Sequence, residues 1–155
     1  MSPETLPLFA AWPLLGAMAL GDLRELRIPN RLLVALAAVF ALVAPFTVPA
    51  PEIGLRVLAA ACIFVLCVAA FAAGVVGGGD AKALPILTLF VPVTAWTAAP
   101  SLFALSLLAG ILAVLALRRT APPALAGWKS LATPRSFPMG VSFALCGVLL
   151  SLTHH

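Results

Sequence analysis

The chain has 155 residues, of which 63% are hydrophobic and only 9% charged, with a mean hydropathy of +1.17. A soluble domain is typically about 45–50% apolar and about 25% charged, so a water-facing globular surface is excluded and a lipid bilayer has to serve as the solvent. The net charge of +4 accompanies no basic groove with interleaved aromatic residues, and it implies contact with membrane lipid and no nucleic-acid partner.

Leu and Ala dominate without strict alternation, which favours helices over a β-barrel. Six apolar runs, bounded by Pro, Gly or charge, predict six transmembrane helices over residues 3–20, 32–48, 55–76, 83–98, 101–117 and 137–153. Several stand at the short end of the about 17–25 residues that cross the hydrocarbon layer. The first run lacks the basic leading segment of a signal peptide. Pro85 and Pro92 are expected to kink the fourth run, and residues 96–101 to turn tightly into the fifth. The expected fold is all-α, a single membrane-embedded domain over residues 1–155.

With the spans numbered in order, the connection after the first carries Arg24, Arg27 and Arg31, and that after the third carries Lys82. The connection after the fifth carries Arg118, Arg119, Lys129 and Arg135. Arg56 alone falls on the opposite face, so eight of the nine basic residues share one side. The positive-inside rule makes that side cytoplasmic and puts both termini outside.

The acids are Glu4, Asp22, Glu25, Glu52 and Asp80. Asp22 and Asp80 each follow a long apolar run, and the topology brings both to the cytoplasmic boundary. An ionisable residue at the edge of the hydrocarbon is costly and marks a candidate functional site. Two of like sign on one face suggest carboxylates that work jointly, as in an aspartyl protease site built at a membrane. For an isolated boundary aspartate, helix capping or pairing with a nearby Arg is the plainer explanation. The rival from another class is a small ion- or proton-coupled transporter, although no acid or His lies mid-membrane to extend a relay.

Asp22 opens the stretch Asp22-Leu23-Arg24-Glu25-Leu26-Arg27-Ile28-Pro29-Asn30. Pro29 biases Ile28 away from helix and suits the first turn of the second span, so the residues between form a short connection. Asn30 is expected to serve that turn. The second motif is Gly77-Gly78-Gly79-Asp80-Ala81-Lys82. Three successive glycines disfavour helix and permit close backbone approach, so Asp80 is expected on a flexible segment that an extended substrate can reach.

With these motifs in view the chain resembles the type IV prepilin peptidases, membrane aspartyl proteases of the GxGD class. It is most similar to the short form associated with Flp/Tad-type pili. The family's acid followed by Ile-Pro-Asn corresponds to Asp22, Ile28, Pro29 and Asn30. Its GxGDxK element corresponds to Gly77, Gly79, Asp80 and Lys82. A late Pro-aromatic-Gly element is approximated by Pro138-Met139-Gly140, where Met139 departs from the aromatic. The resemblance covers nearly the whole chain, including the six-span layout.

The resemblance implies an endopeptidase of the bacterial inner membrane. Such an enzyme removes the short basic leader of a prepilin at the cytoplasmic face, just ahead of the pilin's hydrophobic helix. Asp22 and Asp80 would be the catalytic pair. Close carboxylates share one proton; the ionised member takes a proton from water and the protonated member polarises the scissile carbonyl. Lys82 either helps keep the pair partly ionised or is a topology charge. A non-catalytic scaffold for pilus assembly is the remaining alternative. Longer members carry an N-terminal region with paired CxxC motifs and a methyltransferase activity. This chain opens directly on its first span, so peptidase activity without methyl transfer is expected. Cys62, Cys67 and Cys146 lie within apolar runs without metal-ligand spacing, so no metal, disulfide or cofactor is expected. His154 and His155 end the chain on the outer side, and no metal role is expected for them.

Overall fold

A computed structural model describes residues 3–120, 127–133 and 137–153. Arg135, His154 and His155, which enter the charge and metal expectations above, lie outside the described residues. A 3-10 turn at Pro3–Thr5 leads into α1 (Leu6–Glu25), followed by α2 (Asn30–Thr47), α3 (Ala50–Ala72) and α4 (Gly78–Thr88). A second 3-10 turn at Val93–Ala95 precedes α5 (Ala99–Thr120), the short α6 (Lys129–Ala132) and α7 (Met139–Thr153). The all-α expectation holds for the described residues. Among the described residues, four helices, α1 with its leading turn, α2, α3 and α5, are long and apolar enough to cross a membrane, and α7 is a shorter apolar helix. Large side chains such as Leu42 and Phe46 on α2 and Val65 on α3 stand exposed, in keeping with helices that face lipid.

The segment expected as one kinked span over 83–98 is broken instead. α4 stops at Thr88, and the chain turns through Val91 before the second 3-10 turn. Pro92 heads that turn as its N-cap; it has no N–H to continue a helix and interrupts rather than bends it. Pro85 is carried inside α4. The first helix differs in the other direction, running on to Glu25 beyond the expected end at residue 20. It stops where Leu26 adopts the left-handed conformation (φ 53°) and its N–H closes on the Asp22 carbonyl.

α1 explains why it continues. Its buried residues Leu8, Ala11, Leu15, Met18 and Asp22 follow one another by three or four positions, a single packed stripe. α7 lies along this stripe, α5 packs on α7, α2 joins α1 to α4, and α3 pairs with α4. Phe40 meets Phe90 edge-on at 5.5 Å, and Phe103 stacks on Phe143 at 5.6 Å.

Arg56, the cation expected on the opposite face from the others, is fully buried. Its Nε and Nη2 donate to Glu52 Oε1 at 3.0 and 2.6 Å, and Nη2 also donates to the Glu4 carbonyl at 3.4 Å. The Val93 N–H donates to the same Glu52 oxygen at 3.1 Å. α3 is thereby tied to the start of the chain and to the break after α4. The i,i+4 spacing of Glu52 and Arg56 was the sequence signal for this pair.

Candidate active site

Asp22 occupies the last turns of α1 and is only 5% exposed. The Gly140 N–H donates to its Oδ2 at 2.7 Å. Gly140 is the second residue of α7, so its N–H is one of the donors that a helix start leaves without a helical partner, at the positive end of the dipole. The approach needs glycine: a Cβ there would stand 2.9 Å from Asp22 Cβ and 3.2 Å from the Met18 carbonyl. Pro138 is buried beside it and Met139 begins α7, so the Pro138-Met139-Gly140 element lies against the first aspartate. In this sense Asp22 does cap a helix, through a residue 118 positions away.

Asp80 lies in the first turn of α4, outside the four membrane-crossing candidates. The expected flexible glycine segment is corrected here. Gly77 is an extended N-cap (φ −68°, ψ 147°), whereas Gly78 and Gly79 are already helical. Packing supplies what glycine propensity lacks: α4 rests on α3, and a Cβ on Gly78 would lie 3.2 Å from the Phe71 ring. The half-buried Asp80 carboxyl is pushed up to about 6, first by burial and then by the charge of Asp22. Burial has the larger part in this, and the charge of Asp22 the smaller. Among the described residues neither aspartate has a cationic partner within ion-pair distance.

The remaining motif residues gather around α4. Ile28 Cβ lies 3.8 Å from where a Cβ on Gly79 would stand, so the α1–α2 connection touches the turn that carries Asp80. Pro29 is the N-cap of α2 and its carbonyl accepts the Leu32 N–H at 3.0 Å. Asn30 does not cap that turn with its side chain; its Oδ1 accepts from Lys82 Nζ at 3.5 Å, a link between α2 and α4. A groove of about 460 Å³ opens between these pieces, lined by Glu25, Arg27, Ile28, Pro29, Asn30, Arg31, Gly78, Gly79 and Lys82. An apolar cavity of about 380 Å³ lies elsewhere, between Ala59, Leu84, Phe103, Phe143 and their neighbours, and no acid lines it. It cannot supply hydrolytic chemistry. No cluster of three or more His, Cys, Asp or Glu that could hold a metal occurs among the described residues.

The contact between Gly140 and Asp22 was not found from sequence spacing; the only available signal was the late Pro138-Met139-Gly140 element itself. A family model described as the type IV leader peptidase family matches residues 8–115. No curated protein and no solved structure matches the chain. The matched segment contains both aspartates and ends before Pro138 and Gly140.

Proposed function

The chain belongs to the type IV leader peptidase family, and on that premise we propose that it is an aspartyl endopeptidase which removes the leader from type IV or Flp-type prepilins. Asp22 and Asp80 are its catalytic pair. Two carboxylates in mutual reach hold one proton between them, because ionising both at once is opposed by like charge and burial. The ionised member takes a proton from the attacking water, and the protonated member donates to the scissile carbonyl oxygen as negative charge develops there. The proton then passes to the leaving amine. The observation that carries this reading is the family match over residues 8–115, which contains both aspartates in their Ile-Pro-Asn and glycine-rich motifs.

The groove between the α1–α2 connection and the start of α4 is the proposed path of an extended peptide; Gly78, Gly79 and Lys82 line it and flank Asp80 in the sequence. The enzyme sits in a bacterial cytoplasmic membrane with this groove facing the cytoplasm and both termini outside. In that topology the chain crosses six times, and the fourth crossing is made in pieces by α4 and the residues up to Ala99. The basic residues around the groove, Arg27, Arg31 and Lys82, support this orientation.

The test is co-expression with a tagged prepilin and a gel shift that reads leader removal. Asp22→Asn and Asp80→Asn should each abolish the shift, a loss of about 10³-fold or more, because general acid–base work is removed. Processing at the normal rate by either variant would sink the assignment.

A further inference from the structure

α1 ends only a few residues after Asp22, and the last turn of a helix is its least restrained. The Leu26 N–H closes on the Asp22 carbonyl, which leaves the Leu23 carbonyl to find a partner outside the helix. That partner is Ser130: its hydroxyl donates to Leu23 O, and the residue is fully buried. Ser130 sits on the four-residue α6, which has little stability of its own.

Arg118, near the end of α5, supplies that stability. Its Nε and Nη2 donate to the Ser130 carbonyl at 3.0 and 2.7 Å, and Nη2 donates to the Thr133 carbonyl at 2.9 Å. One guanidinium thus holds a carbonyl within α6 and the one just past its end, a use of its fork that a lysine does not reproduce. A second tie comes from Arg24, whose guanidinium lies 5.5 Å from the centre of the Trp128 ring. We propose that Ser130 and Arg118 are positioning residues that hold the turn of α1 bearing Asp22. The Gly140 N–H orients the carboxylate while this clip restrains the backbone beneath it. Arg118, Ser130 and Gly140 all lie beyond residue 115, where the family match ends.

The inference rests on the aspartyl peptidase reading for its catalytic consequence, though not for its structural one. Full-length Ser130→Ala and Arg118→Gln are compared with the unsubstituted protein in two measurements. In prepilin cleavage, kcat should fall about tenfold or more, as a small misplacement of a reacting group requires. KM should stay within about twofold, since the groove residues are untouched. The pH profile should shift, because a displaced Asp22 no longer acts equally on Asp80, and Ser130→Thr, which keeps the hydroxyl, should restore it. In hydrogen exchange, which needs no activity, the amides at the end of α1 should lose protection about tenfold. Unchanged exchange there in both variants overturns the clip. So does a lower melting temperature with normal kcat and an unmoved pH profile, which marks a merely structural contact. If the unsubstituted protein cleaves no prepilin, the peptidase reading falls and the exchange data still decide the clip. If it cleaves through Asp22 and Ser130→Ala behaves identically, the clip alone falls.

Discussion

Asp22 and Asp80, the two acids of the proposed site, stand on very different supports. Asp22 rides a 20-residue helix, belongs to its packed stripe, and is fastened by a backbone N–H from α7. Asp80 sits in the first turn of an 11-residue helix, is half-buried, and accepts no hydrogen bond on its carboxylate among the described residues. One acid is fixed by the tertiary structure, and the other stands on a short element bounded by glycines on one side and the break at Pro92 on the other. As the proposed catalytic pair, they would join a rigid reference point to a support that adjusts on the side where the groove opens. Substrate binding is then expected to move α4 relative to α1 and not the reverse.

The two glycine contacts provide the sharpest way to break this comparison. Gly140→Ala forces a Cβ against Asp22 and the Met18 carbonyl at 2.9–3.2 Å, and should cut kcat/KM about 100-fold. Gly79→Ala meets Ile28 at ordinary contact distance, 3.8–4.0 Å, and should cost no more than about threefold. Equal losses in the two variants would mean that the Asp80 side is as rigid as the Asp22 side.

The pH dependence should follow Asp80. With its carboxyl near 6, kcat/KM of the free enzyme should fall about tenfold per pH unit above that value as the shared proton is lost. The same shift has a sign for stability. Between its ordinary 3.8 and about 6 the folded state holds a proton that the unfolded state has shed. The contribution is therefore fully present below 3.8 and is lost as pH rises through about 6. Thermal melts should show this decline, and Asp80→Asn should flatten it.

Removing the carboxylates altogether separates capping from catalysis. Asp22→Ala deprives Gly140 of its acceptor and should destabilise the protein by about 1–2 kcal/mol, whereas Asp80→Ala loses no hydrogen bond and should leave the melting temperature unchanged or slightly raised. The smallest effect is expected at Lys82. Its link to Asn30 is long and exposed, so Lys82→Ala should alter cleavage by less than about twofold. A larger loss would revive its role in tuning the pair.

Much of the site was legible in the chain because its signals are local. The Ile28-Pro29-Asn30 stretch flags the first aspartate and the run of glycines flags the second. The glycines misled in one respect. Propensity argued for a flexible segment, yet Gly78 and Gly79 are helical, packed beside Phe71 on α3 and Ile28 respectively. Pro92 was visible as a perturbation, but whether a proline bends a helix or ends it depends on what the freed backbone meets. Here the Val93 N–H goes to Glu52 on α3, a neighbour that no sequence window contains.

The sequence by itself determined the solvent, the helical class and the family, because apolar composition, period and short motifs are properties of neighbouring residues. Only the tertiary structure decided which groups stand behind the aspartates. The Gly140 N–H and the Ser130 hydroxyl reach the end of α1 from 118 and 107 positions away, and the Arg118 guanidinium holds Ser130 in turn. Such partners are chosen by which orphan donors and acceptors must be satisfied when helices pack, and that accounting exists only once the chain has folded.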